Sequence, residues 1–220
     1  MRPGRADRVA PSVRPRLLRP ERAESSALGI DMKQERLSIP DVVLFTPMRD
    51  GDARGFFSET FRQDVFDAAV GPSTFVQDNH SYSSEAGVIR GLHFQRPPSA
   101  QGKLVRVVRG AVLDVAVDIR LGSPTYGRHV AQVLSAENWR QLWIPVGFAH
   151  GYCTLEPATE VIYKVTAYYS HTDERGLAFD DPALAIDWPV APEKARLSDK
   201  DRRHPKLAEL QPCFRSAETA

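Results

Sequence analysis

From about Ser38 onward the chain alternates short apolar runs with polar punctuation. Stretches rich in Val, Ile and aromatic residues are separated by Gly, Pro, Asn and Asp. Such regular, short runs predict strands of a sandwich or barrel. The clearest case is Lys103–Val108, then Arg109-Gly110, then Ala111–Ile119, which predicts an antiparallel hairpin. In its second arm Leu113, Val115, Val117 and Ile119 share one face and Asp114 and Asp118 the other, because side chains alternate along a strand. Further strands are predicted at Arg128–Leu134, Gln141–Ile144, Gly151–Leu155 and Glu160–Tyr169. In the last of these Tyr163 falls with Val161 and Val165, toward a core or a lined cavity. Helical signals are few: a short helix over Phe61–Val70 and another in the tail after Pro192. The expectation is a mostly β fold in one domain, with a few short helices.

Length and charge refine this picture. A chain of 220 residues suits one domain with an appended segment. Basic residues number 29 and acidic residues 28, without the basic excess that phosphate neutralisation demands, so no nucleic-acid partner is expected. The first 31 residues differ: they hold seven arginines against four acids, and prolines at 3, 11, 15 and 20. They lack periodicity and apolar content, so residues 1–31 read as a disordered Arg/Pro-rich arm, with Met32 a candidate start and residues 32–220 the folded domain with a C-terminal tail. The arm has no apolar segment of the secretory type, and no run is long enough to cross a bilayer, so no membrane association is expected. Cys153 and Cys213 make neither a disulfide framework nor a zinc pattern and fit a reducing compartment, hence a cytoplasmic protein.

Pro145-Val146-Gly147-Phe148-Ala149-His150-Gly151 has the form P-x-G-x-x-H between two predicted strands. It resembles the second motif of cupins, which are double-stranded β-helix barrels of jelly-roll type. Metal cupins pair that histidine with an H-x-H, whereas Arg90-Gly91-Leu92-His93-Phe94-Gln95, at the place of the first motif, offers one histidine. His93 and His150 alone are too few protein ligands for a stable transition-metal site, so a barrel without metal is expected. One inward imidazole suits acid–base chemistry near neutral pH, strengthened by a carboxylate that fixes its tautomer. Lys103 and Arg90 flank the region as candidates to stabilise a negative intermediate, and Tyr163 is a candidate proton donor. Asp114 and Asp118 are open as carboxylate partners of His93.

Eight segments together resemble the dTDP-4-dehydrorhamnose 3,5-epimerase family. They are Phe75–Ser81, Arg90–Gln95, Gln101–Arg106, Asp114–Arg120, Ser123–Thr125, Gln141–Pro145, Gly147–Gly151 and Leu197–Asp201, in the family's order between about Ile39 and Asp201. The resemblance implies a cofactor-independent isomerase acting on a dTDP-4-keto-6-deoxyhexose. It implies His93 as general base, Asp201 as its carboxylate partner, Lys103 at the enolate oxygen and Tyr163 as acid. Implied substrate contacts are Arg54, Glu59, Gln77, Asn79, Arg90, Lys103, His150, Glu174 and Lys200. It further implies a homodimer with N-terminal strands crossing the interface. Family members often carry Trp-Asn-Asp where this chain has Phe179-Asp180-Asp181, which predicts looser packing there. Residues 202–220 match nothing assignable. Alternatives are an epimerase or keto-isomerase working at one centre, a non-catalytic nucleotide-sugar-binding barrel and, disfavoured by the missing H-x-H, a metal cupin oxygenase.

Overall fold

The computed structural model describes residues 32–216, in which strands are the main regular element; the arm expected over residues 1–31 lies outside the described residues. In chain order the strands are β1 (Met32–Arg36), β2 (Val43–Pro47), β3 (Asp50–Asp52), β4 (Gly55–Phe57), β5 (Gln77–Ser83), β6 (Ile89–Gln95), β7 (Lys103–Arg109) and β8 (Ala111–Asp118). They continue with β9 (Arg120–Leu121), β10 (His129–Ser135), β11 (Gln141–Ile144), β12 (Phe148–Thr154), β13 (Thr159–Val165), β14 (Glu174–Gly176) and β15 (Phe214–Arg215). One helix, α1 (Gln63–Val70), falls inside the predicted Phe61–Val70.

The described strands build a six-stranded sheet in the order β1-β2-β11-β7-β13-β5 and a five-stranded sheet in the order β10-β8-β12-β6-β14. All pairings within these two sheets are antiparallel. Their inner faces meet over one apolar core. Leu44, Val105, Leu142, Ile144 and Val161 come from the first sheet, and Val112, Ala116, Val130, Leu134 and Phe148 from the second. Each such buried side chain of Val, Leu or Phe size stabilises the fold by ~1.5–3 kcal/mol. The outer faces are also covered. Helix α1 lays Phe66 on Phe45 and Trp143 of the six-stranded sheet, and the C-terminal segment lays Leu177, Leu184 and Phe214 on the five-stranded one. The result is the mostly β, cupin-type jelly roll that the alternation and the turn motif predict.

The predicted hairpin over Lys103–Ile119 is not one. Strands β7 and β8 lie in different sheets, because β11 and β13 occupy both edges of β7, and β10 and β12 both edges of β8. At Arg109-Gly110 the chain turns a corner between the layers. The Pro145–Gly147 turn does the same, joining β11 of one sheet to β12 of the other. Alternation reports which face a residue takes; it is silent about which strand sits alongside. Asp114 and Asp118 do share a face, and both are fully buried on the interior side of β8. Among the described residues the tail forms no second α-helix: Pro192–Lys194, Asp201–Arg203 and Leu207–Glu209 are single 3₁₀ turns. Nor is the Phe179 region loose. Phe179 is buried, contacts the Trp188 ring and accepts the Trp188 Nε1–H at 2.8 Å.

Candidate active site

Along β6 the odd-even rule separates two environments. Leu92 and Phe94 point out into the cluster under the C-terminal segment, so His93 and Gln95 point into the sandwich. Strands β6 and β12 press together beside His93. Gly91 takes φ +132°, and a Cβ there would lie 2.5 Å from the Gly151 Cα, which excludes any other residue. His150 is the cross-strand neighbour of His93.

The carboxylate partner arrives from far along the chain. Ser198 Oγ accepts the Asp201 amide at 3.2 Å, and the 3₁₀ turn beginning at Asp201 aims its Oδ1 at His93 Nε2, 2.5 Å away. Burial pushes the Asp201 carboxyl up, but hydrogen bonds from His204 and His93 outweigh it and hold it below the usual carboxylate range. An ionised acceptor makes Nε2 of His93 the donor and leaves the lone pair on Nδ1. Burial lowers the His93 pKa; Asp201 pulls it back up, while the Lys103 and Lys200 charges lower it further. The net shift is downward from 6.5, so the ring is a neutral base at neutral pH.

A cavity of about 240 Å³ opens in front of this pair, lined by Gln77, Asn79, His93, Lys103, Tyr163 and Glu174 among others. Lys103, on β7 of the facing sheet, is buried and donates from Nζ to the His93 carbonyl at 3.3 Å. Burial brings its pKa down to about 8, with Asp114 and Glu174 opposing the fall. Tyr163, on β13, has its hydroxyl pKa raised by burial. Gln77 Nε2 donates to Asn79 Oδ1 at 2.7 Å, which orients both amides on β5. Glu174 is clamped between Lys200 Nζ at 2.6 Å and the Tyr169 hydroxyl at 3.0 Å. A larger groove of about 420 Å³ adjoins and shares Asn79 and Tyr163 with the first. The smaller one holds His93 and the buried Lys103, whereas in the larger Asp78 and Lys164 pair with each other at 3.0 Å.

The remaining expected residues are placed otherwise. Arg54 lies on the exposed β3–β4 hairpin in an ion pair with Asp52, and Glu59 sits beside Arg62 at 3.5 Å; neither lines the cavity. Arg90 reaches the Tyr82 carbonyl at 3.0 Å, with its charge felt at Tyr163. His150 is buried, its Nε2 held by both Asp114 oxygens at 3.0 and 3.1 Å. Asp114 is thus committed to His150, and Asp118 to Arg120 and two hydroxyls, which removes both as partners of His93. Sequence reasoning passed over Gln95, Gln101, Tyr169 and His204 near the site. Gln95 was within reach, since it closes the R-G-L-H-F-Q segment; it braces the Ser99 and Tyr168 carbonyls.

His93, Asp201 and His204 present three ligand atoms within 4.8 Å of one another. Two ligands of a tetrahedral ion with bonds near 2.1 Å stand ~3.4 Å apart. At 2.5 Å His93 and Asp201 stand closer than that, in hydrogen-bond contact with each other.

The family model for dTDP-4-dehydrorhamnose 3,5-epimerase matches residues 36–209. That range extends beyond Asp201 into the tail that motif reading left unassigned. A Sinorhizobium fredii dTDP-4-dehydrorhamnose 3,5-epimerase is 53% identical over 184 residues, covering 84% of this chain and 94% of that protein. The Shigella flexneri enzyme of the same name is 56% identical over 167 residues, covering 76% and 91%. The crystal structure of dTDP-6-deoxy-D-glucose-3,5-epimerase from Legionella pneumophila with dTDP-4-keto-L-rhamnose superposes at a TM-score of 0.81 and 44% identity. It covers 84% of this chain and 99% of the other. A jelly roll with an imidazole–carboxylate pair, a buried ammonium and a phenol around one cavity thus belongs, by sequence and by structure, to the dTDP-4-dehydrorhamnose 3,5-epimerases, a family of isomerases.

Proposed function

We propose that the protein inverts C3 and C5 of dTDP-4-dehydro-6-deoxy-D-glucose, giving dTDP-4-dehydro-L-rhamnose. The observation that carries this reading is a base from one sheet and a phenol from the other lining one cavity. Inversion at carbon requires removal of a proton from one face and return of a proton to the opposite face. The C4 ketone acidifies the hydrogens on both neighbouring carbons, so one base serves C3 and C5 in turn. His93 Nδ1 takes the proton, and Asp201 stabilises the imidazolium that forms. Charge moves to the C4 oxygen, where the Lys103 ammonium, preorganised in a dry pocket, stabilises the enolate. Tyr163 then delivers a proton from the other side. The sequence moves protons only, so its balance calls for neither a nicotinamide nor a metal. Gln77, Asn79, Glu174 and Lys200 hold the sugar nucleotide at the rim, with Arg90 a bidentate match for the diphosphate.

In deuterated water, label is expected at both C3 and C5 of the product by NMR. Label at one carbon alone would reassign the chain to the single-centre epimerases, and binding without exchange to a non-catalytic barrel.

The same reading includes a homodimer. Phe56 and Phe57 on the β3–β4 hairpin are 57% and 76% exposed, a costly display of aromatic surface for a monomer. Arg54 lies between these strands' tips, away from its own cavity. A second copy receiving this hairpin brings Arg54 and Glu59 to its substrate. Mixing inactive Arg54→Ala with inactive His93→Asn, followed by subunit exchange, is then expected to restore about a quarter of native activity, since half of the dimers are mixed and each holds one intact site. No recovery would place both residues in their own subunit. The proposed setting is the cytoplasm, in keeping with the free Cys153 and Cys213; among the described residues no helix is long and apolar enough to cross a membrane.

A further inference from the structure

Asp201 Oδ1 has two imidazole neighbours. His93 Nε2 approaches it at 2.5 Å, and His204 Nε2 approaches the same oxygen at 3.3 Å. The two rings stand 5.5 Å apart, inclined at 84°. The fold provides for this second ring in three ways. The 3₁₀ turn Asp201–Arg203 ends at His204, whose φ −66° and ψ 143° are the extended conformation imposed on a residue before proline, here Pro205. The Ala178 amide then donates to the Pro205 carbonyl at 2.8 Å and fixes the backbone. Finally, the ring lies against Gly176, where a Cβ would come within 2.3 Å of its atoms, and Gly176 is the cross-strand neighbour of His93. The His204 side chain is only 11% exposed, so it is a packed group.

We propose that His204 is a positioning residue for the epimerase, donating its Nε2–H to Asp201 Oδ1 so that the carboxylate is oriented and its pull on the His93 proton is reduced. This rests on the reading of His93 as the base. An oxygen that accepts two N–H groups stabilises each less than it would one alone. His93 therefore surrenders its proton more readily between turnovers and stays neutral to lower pH. Other charges reach the same ring: Lys103 from β7, and Lys200 from the turn lower its pKa, and Glu174 on β14 interacts with it. Beside His204 lies a cavity also bordered by Asp180, Arg202, Lys206 and Glu209.

The test is the pH profile of kcat/KM for the native enzyme, His204→Phe and His204→Gln. His204→Phe is expected to move the acid limb up by about 0.5–1 pH unit, a loss of about three- to tenfold in kcat/KM on that limb, with the alkaline limb and the KM plateau unmoved. His204→Gln keeps an N–H donor and is expected to return the limb toward its native position. A merely structural role would lower stability and leave the limb where it was. An unmoved limb in His204→Phe, with His93→Asn inactive, overturns the proposal and leaves the base assignment standing; an active His93→Asn overturns the base assignment itself. Nitrogen-15 NMR of native enzyme provides a reading independent of variants. A nitrogen-bound proton on His204 Nε2, slow to exchange because it is held by Asp201, is expected, and an Nε2 without a bound proton would count against the shared oxygen.

Discussion

The neighbouring strands β6 and β12 each carry a histidine paired with an aspartate, His93 with Asp201 and His150 with Asp114, and the two pairs differ in what surrounds them. His93 meets Asp201 through one oxygen at 2.5 Å, and 26% of its side chain remains accessible, toward the cavity. His150 meets Asp114 through both oxygens at 3.0 and 3.1 Å, and only 7% of its side chain is accessible. Both pairs join an imidazole to a carboxylate, but only the first leaves its ring facing space that a substrate can fill. The second is enclosed beside Lys103, whose pKa the Asp114 charge supports. In the proposed mechanism the first pair moves a proton and the second sets the field in which the enolate forms.

The largest effect expected from breaking this contrast is on turnover. His93→Asn should lower kcat by at least about 10³-fold with little change in Tm, since the base is removed and its pocket kept. Its counterpart, His150→Asn, should do the reverse. Truncating one member of a buried pair costs about 3–5 kcal/mol, read as a lowered urea midpoint, with a smaller loss of turnover. Equal effects of the two changes on kcat would erase the distinction.

A smaller effect concerns pH. The proposed mechanism uses His93 neutral and Lys103 charged, so kcat/KM should rise through the lowered pKa of His93 and fall again near pH 8. Asp114→Asn removes a charge that raises the Lys103 pKa, so the alkaline limb should shift about one unit toward lower pH. The acid limb, set by the other pair, should stay. A titration series on the two proteins checks both limbs.

Much of this was legible in the chain. Alternation located β7, β8, β10, β11, β12 and β13 to within a few residues, and the P-x-G-x-x-H turn pointed to the barrel. Strand partners were not legible, because a hydrophobic pattern encodes a face and the edges of β7 and β8 are claimed by distant segments. His93 stood out by its segment, while its partner Asp201, 108 residues later, is tied to it by no local spacing; family resemblance supplied it. His204 fell in a tail without apolar periodicity, where only folding reveals a neighbour. Arg54 and Glu59 matched a motif, yet neither lines the cavity that holds His93.

The lysine tip touching the His93 carbonyl has a consequence for how this enzyme could be re-engineered. His93 and Lys103 are ten residues apart in sequence but rise from opposite walls, so the gap between them is a calliper set by the thickness of the sandwich. Reshaping the mouth, for instance at the exposed Tyr169 that lines the cavity, alters what enters without resetting that calliper. New sugars can therefore be sought by editing the rim, whereas thickening the sandwich interior by even one methylene would change the reach of both reacting groups together.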